Sequence, residues 1–383
     1  MGNATDAPGV IVCVVGARPN YMKMAPLLQA FSAQPGLPRA VLVHTGQHYD
    51  PMMNDRLFSD LKLPRPDINL EVGSATHAVQ TAEVMRRFEP VLDELLPVCV
   101  VVVGDINSTL ACSVVAAKKG VPVAHVEAGL RSFDRSMPEE INRVVTDQLS
   151  SLLYTTEESA HANLAREGIP SERIAFVGNV MIDSLHSHRA RAVPPEATFA
   201  RAQWRGAAGP FGVVTLHRPS NVDQPQTLAE CLDIMREVAQ RVPLVCALHP
   251  RTMANVASFG LAGMLSDERV LVLPPQGYLE MLGLMSAAAV VLTDSGGMQE
   301  ETTALGVPCL TMRENTERPI TVEQGTNTVV GRDRGRILGL VGEILEHGGK
   351  CGRAPELWDG HAAERIAAHL SRWIAARPVP ARI

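Results

Sequence analysis

VVLTDSGGMQEETTALGVP, residues 290–308, opens as a strand, closes as a helix and turns between the two on Asp-Ser-Gly-Gly. Its first residues, VVLT, lack apolar–polar alternation, the pattern of a strand covered on both faces. Gly306 and Pro308 mark the helix end. Gly296 and Gly297 after Ser295 let a ligand approach the backbone, and the free N–H groups opening a helix suit a phosphate. A tight turn capped by Asp294 or Ser295 would read the same way in isolation. Glu300 and Glu301 are expected in the first helical turn, where acids complement the helix dipole; a carboxylate there could also accept two ribose hydroxyls.

The same alternation of short apolar run and longer helical stretch extends both ways from this segment. In the first half strands are expected at 10–15, 40–44, 98–103, 121–126, 152–155 and 174–177. In the second they fall at 211–216, 244–248, 270–273, 290–293, 308–312 and 327–330. Crossover helices fit between them; Val84, Phe88, Val91 or Leu92, and Leu95 recur at helical spacing. The expected fold class is α/β: two Rossmann-like, doubly wound domains facing a cleft. Residues 1–185 form the first domain, 186–210 (HSHRARAVPPEATFARAQWRGAAGP) a linker, 211–360 the second domain and 361–383 a helical tail. The tail could pack on either domain.

Composition narrows the function. The 383 residues are 46% apolar and 20% charged, enough to bury a large core in two domains. With 4% aromatics, a net charge of −6 and no Lys/Arg run, neither a nucleic acid nor an anionic membrane is an expected partner. The apolar runs are too short to span a bilayer, and MGNATDAPG lacks the basic region of a signal peptide. Seven scattered cysteines include no CxxC pair; Cys13, Cys99, Cys246 and Cys309 read as small buried hydrophobes. A cytoplasmic, reduced protein without a metal site is the expectation.

Chemistry-bearing residues gather at predicted strand ends. Arg18 and Lys23 in GARPNYMKMAPL (16–27) lie where the first strand opens into a helix, suited to a pyrophosphate, although no G-x-G-x-x-G fingerprint is present. Asp105 follows VCVVVVG, Glu127 follows VPVAHV and Glu139 opens PEEINRVVTDQLS. Any one of these acids is most simply a helix cap, and Glu139 with Arg143 an ordinary i,i+4 pair. Three acids converging at strand ends are harder to dismiss, because neighbouring carboxylates acquire the separated pKa values that acid/base work requires. His217, beside Arg218, ends FGVVTLH, and His249 ends VCALHPR; either is structural or faces a phosphate or sugar.

As a set, seven stretches resemble the non-hydrolysing UDP-N-acetylglucosamine 2-epimerases: GARPNYMKMAPL, TGQHYDPMM (45–53), VVVGDINSTLA (101–111), VPVAHVEAGLRSFDRSMPEEINR (121–143), TLHRPSN (215–221), TDSGGMQEE (293–301) and TERPITVEQGTN (316–327). The resemblance implies a glycosyltransferase-B-like fold, no cofactor, and a cytoplasmic homodimer that interconverts UDP-N-acetylglucosamine and UDP-N-acetylmannosamine for polysaccharide biosynthesis. It matches Asp105, Glu127, Glu139 and His217 to catalytic positions. Arg18, Lys23, Arg143 and Arg218 match substrate-binding cations, Ser295, Gly296 and Gly297 the diphosphate site, and Glu301 the ribose-binding acid. PPQGYLEML (274–282) looks like the uracil-side loop. Gln47 and His249 fit the allosteric site some members have, whereas Asp50 and Pro219 do not. The chain departs from the common pattern in a shorter SFDRSM connection, in Asn20 where glutamate is commoner, and in His-Arg-Pro-Ser-Asn.

Inverting carbon 2 of an acetamido sugar is hard because no carbonyl acidifies its proton. Without a nicotinamide fingerprint, elimination of UDP to a glycal and re-addition is the implied route. A related diacetamido uronic acid substrate, a hydrolysing epimerase, a glycosyltransferase and a nucleotide-sugar sensor are the other readings; the TERP segment favours the simple N-acetylglucosamine substrate.

Overall fold

A computed structural model describes residues 9–47, 60–61, 63–204, 206 and 209–377. The chain divides into two units, Met1–Ser187 with Glu356–Ile383, and His188–Pro355. The first unit holds β1 (Val10–Val15), β2 (Arg39–His44), β3 (Ile68–Asn69), β4 (Cys99–Val103), β5 (Val123–Ala128), β6 (Leu152–Thr155) and β7 (Ile174–Phe176). They form one parallel sheet in the order β3-β2-β1-β4-β5-β6-β7. The second holds β8 (Gly212–Thr215), β9 (Leu244–Ala247), β10 (Val270–Leu273), β11 (Val290–Thr293), β12 (Cys309–Thr311) and β13 (Asn327–Val329), parallel in the order β10-β9-β8-β11-β12-β13.

The predicted apolar runs form these strands because helices cover both faces of each sheet. All five residues of β4, CVVVV, are buried. The helix His77–Leu95 turns Val84, Phe88, Val91 and Leu92 inward, the face its spacing predicted, and Thr76 caps it through Val79 N–H at 3.4 Å. In the second unit Leu228, Leu232, Met235 and Val341 pack against one face of the sheet. Burial pushes the thiols of Cys99 and Cys246 up to about 12, as for inert core residues. β3 was not foreseen: two residues carry no periodicity, and its place comes from Asp67, which accepts Leu42 N–H at 2.8 Å and pairs with Arg39.

The described residues of 186–210, expected as a linker, are largely built into the two units. The helix Val180–Arg189 runs into this stretch, and Pro195–Arg201 is helical and belongs to the second unit. The reason is apolar: Phe199 packs edge-on to Phe211 at 5.2 Å in a cluster with Leu284 and Val291. The C-terminal helix Ala362–Ala375 packs on the first unit. Its orphan N–H groups at Ala362 and Ala363 bond the Asp183 carboxylate at 3.1 and 2.7 Å. Among the described residues no helix is long and apolar enough to cross a membrane, and no three His, Cys, Asp or Glu side chains gather as metal ligands would.

Candidate active site

In both sheets the chain steps outward in opposite directions from a central pair, β1 and β4 or β8 and β11. Loops diverge there, and ligands of open α/β sheets collect outside the carboxyl ends of such a pair. Lys23 and Asp105 follow β1 and β4, and His217, Arg218 and the Ser-Gly-Gly turn follow β8 and β11; Glu127 lies in β5, Glu139 and Arg143 on the helix after it, and Gln47 and His249 follow β2 and β9.

In the first unit, Asn20 ties the turn after β1 to the end of β4. Its side-chain oxygen accepts Gly16 and Ala17 N–H at 3.3 and 3.1 Å, and its amide donates to Val103 C=O at 2.9 Å. A glutamate could accept the first two but could not donate the third, which gives the departure at this position a physical sense. Lys23 Nζ forms a buried ion pair with Glu127 Oε2. Glu127 has φ 73° and sits at the register shift between Val126 and Ala128 in the β5–β6 ladder. A bulge re-aims a side chain, at about 1–3 kcal/mol for a non-glycine residue in this region. Gly104 turns with φ 67°; a Cβ there would meet Lys23 Nζ at 3.1 Å.

Arg143 does not pair with Glu139. Its Nε and Nη2 reach Asp105 Oδ2 at 2.9 and 2.8 Å, and Nη1 reaches Glu140 Oε2 at 2.5 Å. Asp105 therefore faces Arg143 and does not cap the next helix, Asn107–Lys118, whose N-cap is Ile106. The Glu139 side chain is half-buried and makes no ion pair or hydrogen bond among the described residues. Glu140, which the pattern did not single out, accepts Ser132 and Phe133 N–H at 2.9 Å each and pins the SFDRSM connection. Gln47 is spent internally: its side-chain oxygen accepts Ser108 N–H at 3.1 Å and Oγ–H at 2.7 Å. Arg18 opens the helix Arg18–Ala33, but its side chain, like Asp50, lies outside the described residues.

In the second unit Asp294 organises the loop after β8. Its buried carboxylate accepts N–H from His217 at 3.0 Å and Arg218 at 2.9 Å, the Asn221 amide at 3.1 Å, and pairs with His217 Nδ1 at 2.8 Å. Burial alone would raise this carboxyl, but the bonds from His217 and the Arg218 N–H hold it below the usual range. Asp294 is thus not a helix cap; it orients a half-exposed histidine. His249 lies with its ring 6.3 Å from that of His217 and caps its own helix, its Nδ1 accepting Arg251 N–H at 3.2 Å.

The helix Gly296–Leu305 starts as expected, and Ser295 at its N-cap makes no capping bond with its side chain. A Cβ on Gly296 would come within 2.6 Å of Glu317 Oε1. Glu317 in turn meets Arg313 at 2.7 Å and Arg218 at 3.6 Å. Glu317 and Arg313 carry charge here without a local motif of their own, although Glu317 belongs to the TERP segment. Glu300 and Glu301 lie past the first turn, which contains no acid. Glu300 is buried against Arg318 Nε at 2.8 Å. Burial pushes the Glu301 carboxyl up to about 7, beside Tyr278 from the PPQGYLEML stretch.

Comparison with known proteins assigns the family. The sequence profile described as UDP-N-acetylglucosamine 2-epimerase matches residues 30–371. The UDP-N-acetylglucosamine 2-epimerase of Methanocaldococcus jannaschii is 40% identical over 361 residues, 94% of this chain and 98% of that protein. The UDP-2,3-diacetamido-2,3-dideoxy-D-glucuronate 2-epimerase of Pseudomonas aeruginosa is 38% identical over 369 residues, 94% of this chain and 99% of that protein. The crystal structure of the M. jannaschii enzyme in complex with UDP-GlcNAc and UDP superposes with a TM-score of 0.87 at 38% identity, covering 95% of this chain and 99% of that one. The glycosyltransferase-B-like pair of Rossmann units is shared with these epimerases, and the chain belongs to the non-hydrolysing UDP-N-acetylglucosamine 2-epimerase family and is an isomerase.

Proposed function

We propose that this protein interconverts UDP-N-acetylglucosamine and UDP-N-acetylmannosamine by removing UDP from carbon 1 and returning it after proton exchange at carbon 2. The second unit holds the nucleotide: His217, Arg218 and the N–H groups from Ser295 to Gly297 take the charge that gathers on departing UDP, and Glu301 takes the ribose hydroxyls. The first unit supplies the acids and bases. Glu139, which no cation among the described residues holds, takes the first proton; Asp105 delivers one to the opposite face. Glu127, paired with Lys23, completes the acidic wall and orients the sugar.

The observation that carries this reading is the pairing of Lys23 with Glu127 and Arg143 with Asp105 at the carboxyl ends of β4 and β5 and in the helix after them. Cations set against two of three acids let carboxylates stay close together without mutual repulsion. Turnover of UDP-N-acetylglucosamine in heavy water tests it. Deuterium enters carbon 2 of both epimers while UDP stays attached at equilibrium; unlabelled sugar, or free sugar with UDP as the end product, would reject the mechanism.

A second substrate has a specific observation behind it. The Pseudomonas aeruginosa enzyme for a diacetamido uronic acid nucleotide is nearly as similar, 38% against 40%. Competition between the two nucleotide sugars for turnover ranks them. Cytoplasmic location and a homodimer complete the proposal; sedimentation at working concentration checks the latter.

A further inference from the structure

Behind the three acids lies a fully buried charged group that the proposed chemistry does not use. His125 and Asp147 have side chains with no exposure at all. His125 Nδ1 meets Asp147 Oδ1 at 2.6 Å, and Nε2 meets the backbone oxygen of Gly104 at 2.8 Å. Each ring nitrogen thus has an oxygen partner within hydrogen-bond distance. Asp147 Oδ2 accepts Gly129 N–H at 3.0 Å and pairs with Arg131 Nη2 at 2.7 Å. Arg131 passes the charge outward to Glu167 at 2.6 Å. Burial would raise the Asp147 carboxyl, but His125 and Arg131 hold it below the usual range, as an anchored carboxylate requires.

The bonds of His125 and of the Gly129 N–H reach the segments that carry the acids. Gly104 immediately precedes Asp105; His125 and Gly129 stand two residues either side of Glu127; Asp147 lies on the helix Pro138–Leu149 that carries Glu139 and Arg143. Three separate segments thus meet at one imidazole. We infer that His125 is a positioning residue for the epimerisation: through Asp147 and the Gly104 carbonyl it sets the spacing among Asp105, Glu127 and Glu139 without touching the sugar. The inference rests on those acids doing the proton transfer proposed above.

Buried ionic groups also serve stability alone, so the test has to separate the two roles. In the full chain, His125→Asn puts an amide near Nδ1, keeping the Asp147 bond and losing Gly104; His125→Gln reaches the Nε2 position and keeps Gly104. H125N is expected to lower kcat about 10²-fold, the effect of displacing a reacting group by about 1 Å, with KM within about threefold. H125Q recovers at least about tenfold of that loss. Glu167→Gln, which removes only the outermost charge, lowers the melting temperature and leaves kcat unchanged. Equal kcat losses in H125N and H125Q, losses that track melting temperature across all three variants, or parent-like turnover in H125N would each overturn the assignment. If H125N does not fold, Asp147→Asn takes its place: a kcat loss of about tenfold or more at unchanged KM supports the role, and unchanged kcat removes it. Asp105→Asn run alongside tells the two failures apart. Full activity in D105N rejects the proton-transfer scheme, whereas an inactive D105N beside a fully active H125N rejects positioning only.

Discussion

Asp105 keeps about a fifth of its side chain exposed while Arg143, almost wholly buried, holds one of its oxygens through two N–H groups. That geometry fixes the carboxylate in direction while part of it stays exposed, which a proton-transfer group needs. Replacing Asp105 by Asn preserves shape and removes the charge. Turnover is expected to fall at least ~10²-fold with UDP affinity within about threefold, measured by coupled kinetics and calorimetry. Glu301 presents the opposite case, a carboxyl raised to about 7 mainly by burial. In the unliganded fold its ionised form is disfavoured, so its contribution to stability declines as pH rises from the ordinary carboxylate range through about 7. Ribose hydroxyls donating to it would favour the ionised form. UDP affinity should therefore weaken as pH falls below about 7, approaching tenfold per pH unit, with a proton released on binding. Calorimetry in buffers of different ionisation enthalpy reads that proton. A flat profile, unchanged in Glu301→Gln, would detach Glu301 from the nucleotide.

At the scale of elements, one carboxylate anchors the start of the C-terminal helix. Asp183, in the helix Val180–Arg189, bonds the two leading N–H groups of Ala362–Ala375. Ile366, Ala367 and Leu370 are buried once the helix is seated. Asp183→Ala should cost about 1–2 kcal/mol, the loss of a strong cap, and lower the melting temperature by several degrees. Limited proteolysis would then cut first near residue 361; unchanged melting and cleavage would show that apolar packing alone seats the helix. Elements also explain why the acids were legible but their partners were not. Asp105, Glu127 and Glu139 follow recognisable strands, whereas Arg143 chooses Asp105 and Glu140 over Glu139 only because the helix is rotated that way on its sheet. Helical spacing alone allowed either neighbour.

For the molecule as a whole, two parallel sheets share one order over six strands, the first adding β7 as a seventh, and each has a central pair where its loops diverge. The two places differ in charge character: buried acid–cation pairs in the first unit, and a histidine, an arginine and a helix start in the second. The proposed division of labour matches this difference. UDP should slow amide hydrogen exchange at 216–218 and 294–301 in the second unit, and do so before any change near 104–105 and 127. Protection confined to the first unit would reverse the proposed roles.

Apolar runs such as VIVCVV and CVVVV, bounded by Gly and helical spacing, were enough to announce a doubly wound α/β chain, because a strand buried on both faces has no polar positions to hide it. Strand ends named the acids, His217 and the Ser-Gly-Gly turn for the same local reason. The two-residue β3, the docking of 195–201 on the second unit, the turning of Asp294 onto His217 and the meeting of three segments at His125 had no local signature. Those depend on which distant groups a folded chain brings within 3 Å of one another, and buried polar atoms take whichever partner the packed tertiary structure offers.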